Sequence, residues 1–142
     1  MDKKKTRNFI LRNQIGEISL LAGKVDQLGE AWGLTTHQTM NINLALEEAL
    51  SNIIYYAFEQ KGDNKIRVSL SMDDQTFTIR IADGGIPFDP TTREIPDITL
   101  PADERPIGGL GIFLISKIMD SVTYQRKNNR NILTLTKKIS DP

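Results

Sequence analysis

The chain contains no cysteine among its 142 residues. This absence excludes disulfides, thiolate metal sites and a cysteine nucleophile, and it suits a reducing compartment. No apolar run approaches the ~20 residues that cross a bilayer. The basic start, MDKKKTRNFILRN, lacks the apolar stretch of a signal peptide. The sequence therefore favours a cytoplasmic protein that neither spans nor binds a membrane.

The chain also lacks an excess of either charge, because 18 basic residues balance 18 acidic ones. Direct nucleic-acid binding is disfavoured, since it needs a basic surface. The remaining composition, 39% hydrophobic and 25% charged, is typical of a globular protein. The length is that of one domain, so we expect a single domain over residues 1–142.

Hydrophobic periodicity predicts the order of secondary-structure elements. Residues 66–72 and 77–81 alternate strictly between apolar and polar, which predicts a hairpin with its turn at Asp73-Asp74. Because the strands cluster in hairpins, we expect a two-layer α/β sandwich with a mixed, mostly antiparallel sheet and three helices on one face. The other predicted elements are a strand at 7–13, helices at 16–32, 36–58 and 110–120, and a hairpin of 122–126 with 132–138 across Asn128-Asn129.

Between Asp83 and Gly111 the periodicity vanishes, and five of the chain's six prolines accumulate there. A loop of this length inside a compact domain is unusual. Such loops are commonly lids or binding segments, so this one calls for a functional explanation.

The predicted second helix carries Glu48 and Asn52, four residues apart and therefore on one helical face. A carboxylate beside an amide oxygen suits a site that takes a proton from a hydroxyl and supplies an oxygen ligand to Mg²⁺. The alternative is that both residues lie on an ordinary solvated helix face.

A second motif, Asp83-Gly84-Gly85, directly follows the strand that ends the first hairpin. It places a carboxylate next to backbone that a flat ligand can approach closely, because glycine has no Cβ. The carboxylate could accept a hydrogen bond from an exocyclic amine such as that of adenine. The alternative is an ordinary turn, since Asp-Gly is a common turn dipeptide.

A third motif, Gly108-Gly109-Leu110-Gly111-Ile112, stands at the start of the predicted third helix. Glycines there expose unpaired N–H groups at the positive end of the helix dipole, which suits phosphate oxygens. The alternative is a glycine-rich helix cap. The motif is neither a Walker A loop nor a Rossmann fingerprint.

Together the three motifs resemble a known family. Residues 48–52 (EALSN), 83–90 (DGGIPFDP) and 105–120 (RPIGGLGIFLISKIMD) are similar to the N, G1 and G2 boxes of the GHKL ATPases, in the form found in bacterial anti-sigma factor serine-protein kinases. The resemblance runs from the first helix to the final strand. It implies a Bergerat-type ATP-binding fold with ATP and Mg²⁺ as cofactors.

The resemblance also implies a role for each matching residue. Asn52 is expected to hold Mg²⁺, Glu48 to be the general base for a partner's serine, and Asp83 to bind the adenine amine. Residues 86–107 are expected to form the ATP lid. The other nucleotide-binding residues that the resemblance implies are Gly85, Pro87, Arg105, Gly108, Gly109, Leu110, Gly111 and Ile112.

The sequence departs from the family pattern at two places. Arg130-Asn131 stands where many relatives have Gly-Thr, and Asn131 is expected to replace only part of the role of that threonine in adenine recognition. Tyr56-Ala57 stands where relatives often have histidine and glycine, a change we interpret as packing. Glu48 and Asn52, the implied base and metal ligand, are both present.

The function implied by the resemblance is a serine-protein kinase that acts as an anti-sigma factor on a small STAS-type antagonist. The resemblance further implies sequestration of a sigma factor and a homodimer. The alternative is a nucleotide-gated interaction module that binds ATP without transferring phosphate. A sensor histidine kinase is disfavoured, because no long dimerisation helices or phosphoacceptor histidine precede the domain.

Overall fold

The structure, a computed structural model, describes residues 4–58, 64–92 and 109–139, and for residues 92 and 109–113 it describes the backbone alone. The predicted order of elements is confirmed. The elements are β1 (Lys5–Arg12), α1 (Gly16–Ala31), α2 (Thr36–Tyr56), β2 (Lys65–Asp73), β3 (Thr76–Asp83), a 3₁₀ turn (Pro90–Thr92), α3 (Gly109–Ile118), β4 (Ser121–Lys127) and β5 (Arg130–Lys138).

The five strands of the described residues form one sheet in the order β1-β2-β3-β5-β4. Every neighbouring pair is antiparallel. The two-layer α/β prediction is confirmed, but the parallel pair that a mixed sheet needs is absent from these strands. The reason is that β4 lies at the sheet edge and does not pair with β3. Its hairpin partner β5 lies between them and runs antiparallel to both.

Both hairpin turns use residues that tolerate a positive φ. Asn128 and Asn129 have φ of 54° and 62°, as a type I′ turn requires, at the predicted position. The turn between β2 and β3 was predicted one residue too early. Asp73 continues β2 opposite Thr76, and Asp74 takes the positive φ of 53° because a short polar side chain tolerates it.

The core lies between one face of the sheet and the helices, as predicted. Alternate strand residues such as Leu70 and Ile79 are fully buried, whereas Arg67 and Arg80 on the opposite face are exposed. Helix α3 packs on α2. The helices contribute Leu21, Val25, Leu28, Ile42, Leu46, Leu50, Ile53 and Ile115 to the core.

Helix α2, which carries Glu48 and Asn52, begins with a capping box. The Gln38 N–H donates to Thr35 Oγ1 at 3.0 Å, and the Thr35 N–H donates to Gln38 Oε1 at 2.9 Å. These bonds satisfy N–H groups that a helix start leaves unpaired. In the described part of the chain, no helix combines the length and apolar character needed to cross a membrane.

Helix α3 ends at Ile118, before the predicted end at Asp120. The Asp120 N–H donates instead to the Thr136 carbonyl at 2.8 Å, which ties the end of the helix to β5. Thr136 lies at the opposite end of β5 from the pairing with Asp83. The C-terminal end of α3 is therefore held away from the Asp83 end of the sheet.

Candidate functional site

Asp83, the last residue of β3, is a buried carboxylate with only 2% of its surface exposed. Its Oδ1 accepts hydrogen bonds from the Gly85 N–H at 2.9 Å and from Asn131 Nδ2 at 3.0 Å. Among the residues that the structure describes, Oδ2 has no hydrogen-bond partner. One oxygen therefore anchors the carboxylate, and the other remains available as an acceptor.

The pKa of Asp83 is raised, chiefly because burial removes water from the carboxylate. The hydrogen bonds from Asn131 and Gly85 and the positive charge of Arg126 oppose this rise. Burying a carboxylate is costly to the free protein. A ligand that donates a hydrogen bond to Oδ2 would offset part of that cost.

Gly85 lies against the end of α2. A Cβ at this position would be 2.2 Å from the carbonyl oxygen of Ala57. The same oxygen accepts the Ile86 N–H at 2.8 Å. The sequence predicted that a ligand approaches the backbone closely at Gly85. In the structure, the end of helix α2 lies close to Gly85.

Asn52 is 2% exposed, and both its Oδ1 and its Nδ2 are buried without a hydrogen-bond partner in the described residues. Buried polar groups are almost always paired, so an unpaired carboxamide needs an explanation. A bound ligand that completes its hydrogen bonds or metal bonds is the explanation that the sequence predicted.

Glu48 lies one turn before Asn52 on the same face of α2 and is half-buried. Its pKa is raised, first by burial and second by the charge of the neighbouring Glu47. A carboxylate with a raised pKa is a stronger base than an exposed one, which suits proton abstraction.

The loop after β3 brings the first two motifs to the same end of the molecule. The Ile86 to Ala57 hydrogen bond joins the loop to the end of α2. Asn52 precedes Ala57 by five residues, about 7.5 Å along the helix axis. Helix α3, which begins at Gly109 within the third motif, packs on α2.

Six of the predicted nucleotide-binding residues are described by their backbone alone or not at all. Arg105 and Gly108 lie outside the described residues, as does most of the predicted lid, 93–107. Gly109, Leu110, Gly111 and Ile112 form the first turn of α3, of which the backbone is described. A helix start there is what the sequence predicted for a phosphate site.

The first part of the predicted lid is attached to the domain. Phe88 stacks on Tyr56 at the end of α2, with ring centroids 5.7 Å apart and an interplanar angle of 20°. Arg126 Nη1 donates to the Gly85 carbonyl at 2.8 Å. In the sequence, Pro87 lies between Gly85 and Phe88, which make these two contacts. The packing role inferred for Tyr56 from the sequence is consistent with this stack.

Asn131 has a structural role beyond the part in adenine recognition that was expected of it from the sequence. It is 4% exposed and connects Asp83, the start of the lid and strand β4 through hydrogen bonds. The available signal was its position, because Asn131 occupies an inward-facing place in the alternation of β5 where apolar Leu133 and Leu135 follow. A polar residue at such a place requires partners.

The donor set fits a magnesium ion that is held mainly by nucleotide phosphates. The described residues contain no group of three or more His, Cys, Asp or Glu side chains able to hold a metal ion alone. Mg²⁺ binds through one or two protein oxygens plus substrate phosphates and keeps several waters. The unpaired Oδ1 of Asn52 is one such oxygen.

Comparison with known proteins places the chain in a family. The model of the histidine kinase-like ATPase domain matches residues 12–137, so the chain belongs to that family. It is 32% identical over 109 residues to the serine/threonine-protein kinase BtrW of Bordetella bronchiseptica, covering 77% of this chain and 75% of BtrW. It is 29% identical over 113 residues to the serine-protein kinase RsbW of Listeria monocytogenes, covering 77% of this chain and 71% of that protein. The predicted relationship to GHKL-type anti-sigma factor kinases is confirmed.

Solved structures share the fold. The RsbU and RsbW domains of Rv1364c from Mycobacterium tuberculosis match with a TM-score of 0.70 at 13% identity, over 97% of this chain and 33% of that longer one. The SiaB-SiaC complex of Pseudomonas aeruginosa matches with a TM-score of 0.60 at 12% identity, over 92% of this chain and 88% of the matched one. At these identities the likeness establishes the architecture.

Proposed function

We propose that this protein is an ATP-dependent serine-protein kinase and anti-sigma factor that phosphorylates a small STAS-type antagonist. The named relatives are serine-protein kinases, which supports this reaction. The observation that carries the proposal is the buried, unpaired carboxamide of Asn52 one helical turn from Glu48. An amide ligand beside a base is the pair that phosphoryl transfer to a hydroxyl needs.

In this proposal Asp83 and the loop after it recognise the base of the nucleotide. The free Oδ2 of Asp83 accepts the adenine amino group, and the contact between Gly85 and Ala57 holds the loop in place. The N–H groups of the first turn of α3, residues 109–112, face the phosphates. Residues 86–107 form the lid, with Pro87 near its attached end, and Arg105 and Gly108 contribute from its far end.

Asn52 holds Mg²⁺ through its side-chain oxygen. When bound, the ion neutralises charge on the phosphates, which is a main source of catalysis in phosphoryl transfer. Glu48 accepts the proton of the attacking serine hydroxyl as the serine oxygen bonds to the γ-phosphorus of ATP, while the bond from that phosphorus to the bridging oxygen breaks and ADP leaves. The half-buried position of Glu48 leaves it accessible to a partner's serine and keeps its pKa raised.

The proposed protein partners follow from the family. We propose that the antagonist presents its serine to Glu48, that the kinase sequesters a sigma factor, and that it acts as a homodimer. A cytoplasmic location agrees with the need for ATP and with the absence of cysteine.

The test is Glu48→Gln, with Glu47→Gln as its matched control on the exposed neighbouring position. Each variant is incubated with labelled ATP, Mg²⁺ and the antagonist encoded next to the kinase gene. We expect Glu48→Gln to slow transfer by about 10²–10⁴-fold, the range of general-base effects, with ATP affinity nearly unchanged. Glu47→Gln should transfer normally at a pH above the pKa of Glu48.

Normal transfer by Glu48→Gln would show that the base is assigned wrongly. If the unaltered protein binds ATP tightly but labels no antagonist, the nucleotide-gated interaction module is the better function. If it does not bind ATP at all, the proposed site is wrong.

A further inference from the structure

Asn131 lies on β5, and its carboxamide forms hydrogen bonds with three other segments of the chain. Nδ2 donates to Asp83 Oδ1 at 3.0 Å and to the Ile86 carbonyl at 2.8 Å. Oδ1 accepts the Phe88 N–H at 3.1 Å. It also accepts from Tyr124 Oη at 2.5 Å and from Arg126 Nη1 at 3.2 Å. One side chain thus joins the end of β3, the start of the lid, β4 and β5.

These contacts use the whole hydrogen-bonding capacity of the amide. A carboxamide has two N–H donors, and both are taken, by Asp83 and Ile86. Its oxygen accepts hydrogen bonds from three donors in the described residues, although it has only two lone pairs. Asn131 therefore has no donor or acceptor left for a nucleotide, unless it gives up a contact with the protein.

The contact with Asp83 decides which carboxylate oxygen is free. Because Asn131 and the Gly85 N–H both donate to Oδ1, the carboxylate is held in one orientation and Oδ2 is left unpaired. Without the amide of Asn131, only the Gly85 N–H would remain, and the carboxylate could rotate.

The contacts with Ile86 and Phe88 hold the start of the lid. Asn131 receives one backbone N–H and donates to one backbone carbonyl within three consecutive residues of this segment. Any displacement of the segment strains the same amide that orients Asp83.

We propose that Asn131 is a positioning residue that couples recognition of the nucleotide base to the conformation of the lid start. It does not touch the base. It orients Asp83 so that Oδ2 accepts a hydrogen bond from the exocyclic amine of the base. When a nucleotide occupies that site, the same side chain restrains the backbone at Phe88. This inference rests on the proposed binding of ATP near Asp83.

The test compares two nucleotides that differ in one group, ATP and purine riboside triphosphate, which lacks the 6-amino group. Affinities are measured by calorimetry for the unaltered protein, Asn131→Ala and Asn131→Thr. The threonine variant suits a β-strand and guards against a failure of the alanine variant to fold. The hydroxyl of the threonine variant has one hydrogen, so it cannot donate to Asp83 and to the Ile86 carbonyl at the same time. Tyr124→Phe is the matched control, because it keeps both amide donations.

We expect the unaltered protein and Tyr124→Phe to prefer ATP by about tenfold or more, as a hydrogen bond to a charged acceptor predicts. Asn131→Ala should lose most of this preference, and Asn131→Thr, which has one donor in place of two, should keep only part of it. Hydrogen exchange at the Phe88 amide gives a second readout, since ATP should slow it in the unaltered protein and not in the variants.

A purely structural role predicts a different result. If the Asn131 variants weaken both nucleotides by the same factor and ATP still slows exchange at Phe88, the coupling is refuted while ATP binding stands. If the unaltered protein binds neither nucleotide, the proposed function fails first, and this inference fails with it.

Discussion

Replacing Gly85 by alanine tests the contact that holds the loop after β3 against helix α2. The added Cβ would lie 2.2 Å from the Ala57 carbonyl oxygen and 2.9 Å from its carbonyl carbon, both below the 3.0 Å that real Cβ atoms essentially never cross. Both atoms are backbone, so no side chain can move aside. The loop must shift, and the Ile86 to Ala57 hydrogen bond of 2.8 Å breaks.

The size of the effect follows from these two changes. Overpacking at a tight site costs about 1–3 kcal/mol, and one lost backbone hydrogen bond costs about 0.5–1.5 kcal/mol. We therefore expect the free energy of unfolding to fall by about 1.5–4.5 kcal/mol. With about 3 °C per kcal/mol for a domain of this size, Tm should drop by about 5–13 °C. ATP affinity should fall too, because the loop positions Asp83.

The neighbouring glycine supplies the control. A Cβ at Gly84 meets nothing within 4 Å, and its φ is not among the positive values. Gly84→Ala should leave stability unchanged or raise it by up to about 1 kcal/mol, through the lower entropy of the unfolded chain. Thermal unfolding of both variants, followed by circular dichroism, makes the comparison. Equal Tm values for the two alanine variants would refute the reasoning.

Two further predictions concern helix α2. Glu47→Gln removes a negative charge that raises the pKa of Glu48, so the pKa of Glu48 should fall. The transfer rate rises with pH as Glu48 loses its proton, and in this variant the rise should occur at lower pH. A rise at unchanged pH would contradict the cause assigned to the raised pKa. Asn52→Leu replaces a buried unpaired amide by an apolar group of similar shape, so the free protein should gain about 1–3 kcal/mol in thermal unfolding. The same variant should lose the stabilisation, about 2.7 kcal/mol at one hundred times Kd, that Mg·ATP gives the unaltered protein. A destabilised variant, or one that Mg·ATP still stabilises, would show that Asn52 has partners or no ligand role.

Much of the fold could be predicted because its signals are local. The alternation of residues 66–72 and 77–81 and the Asn128-Asn129 turn depend on neighbours in the chain, so the sequence displays them directly. The error at Asp73 has the same origin. Two adjacent aspartates are both good turn residues, and only pairing with Thr76 decides that Asp73 still belongs to β2.

The candidate site was predictable in part for a similar reason. Glu48 and Asn52 share one helix, so their spacing alone places them on one face. Asp83 followed from its position at the end of an alternating strand. The burial that raises the pKa of Asp83, and the unpaired state of the Asn52 amide, could not be read from spacing, because both depend on what packs around them.

The sequence by itself determined the order of helices and strands, the three motifs and, through them, the family. The tertiary structure alone decided that β5 lies between β3 and β4, that Gly85 faces the Ala57 carbonyl, and that Asn131 holds Asp83. The physical reason is separation along the chain. Asn131 and Asp83 are 48 residues apart, and a hydrogen bond between them exists only after the sheet has brought their strands together.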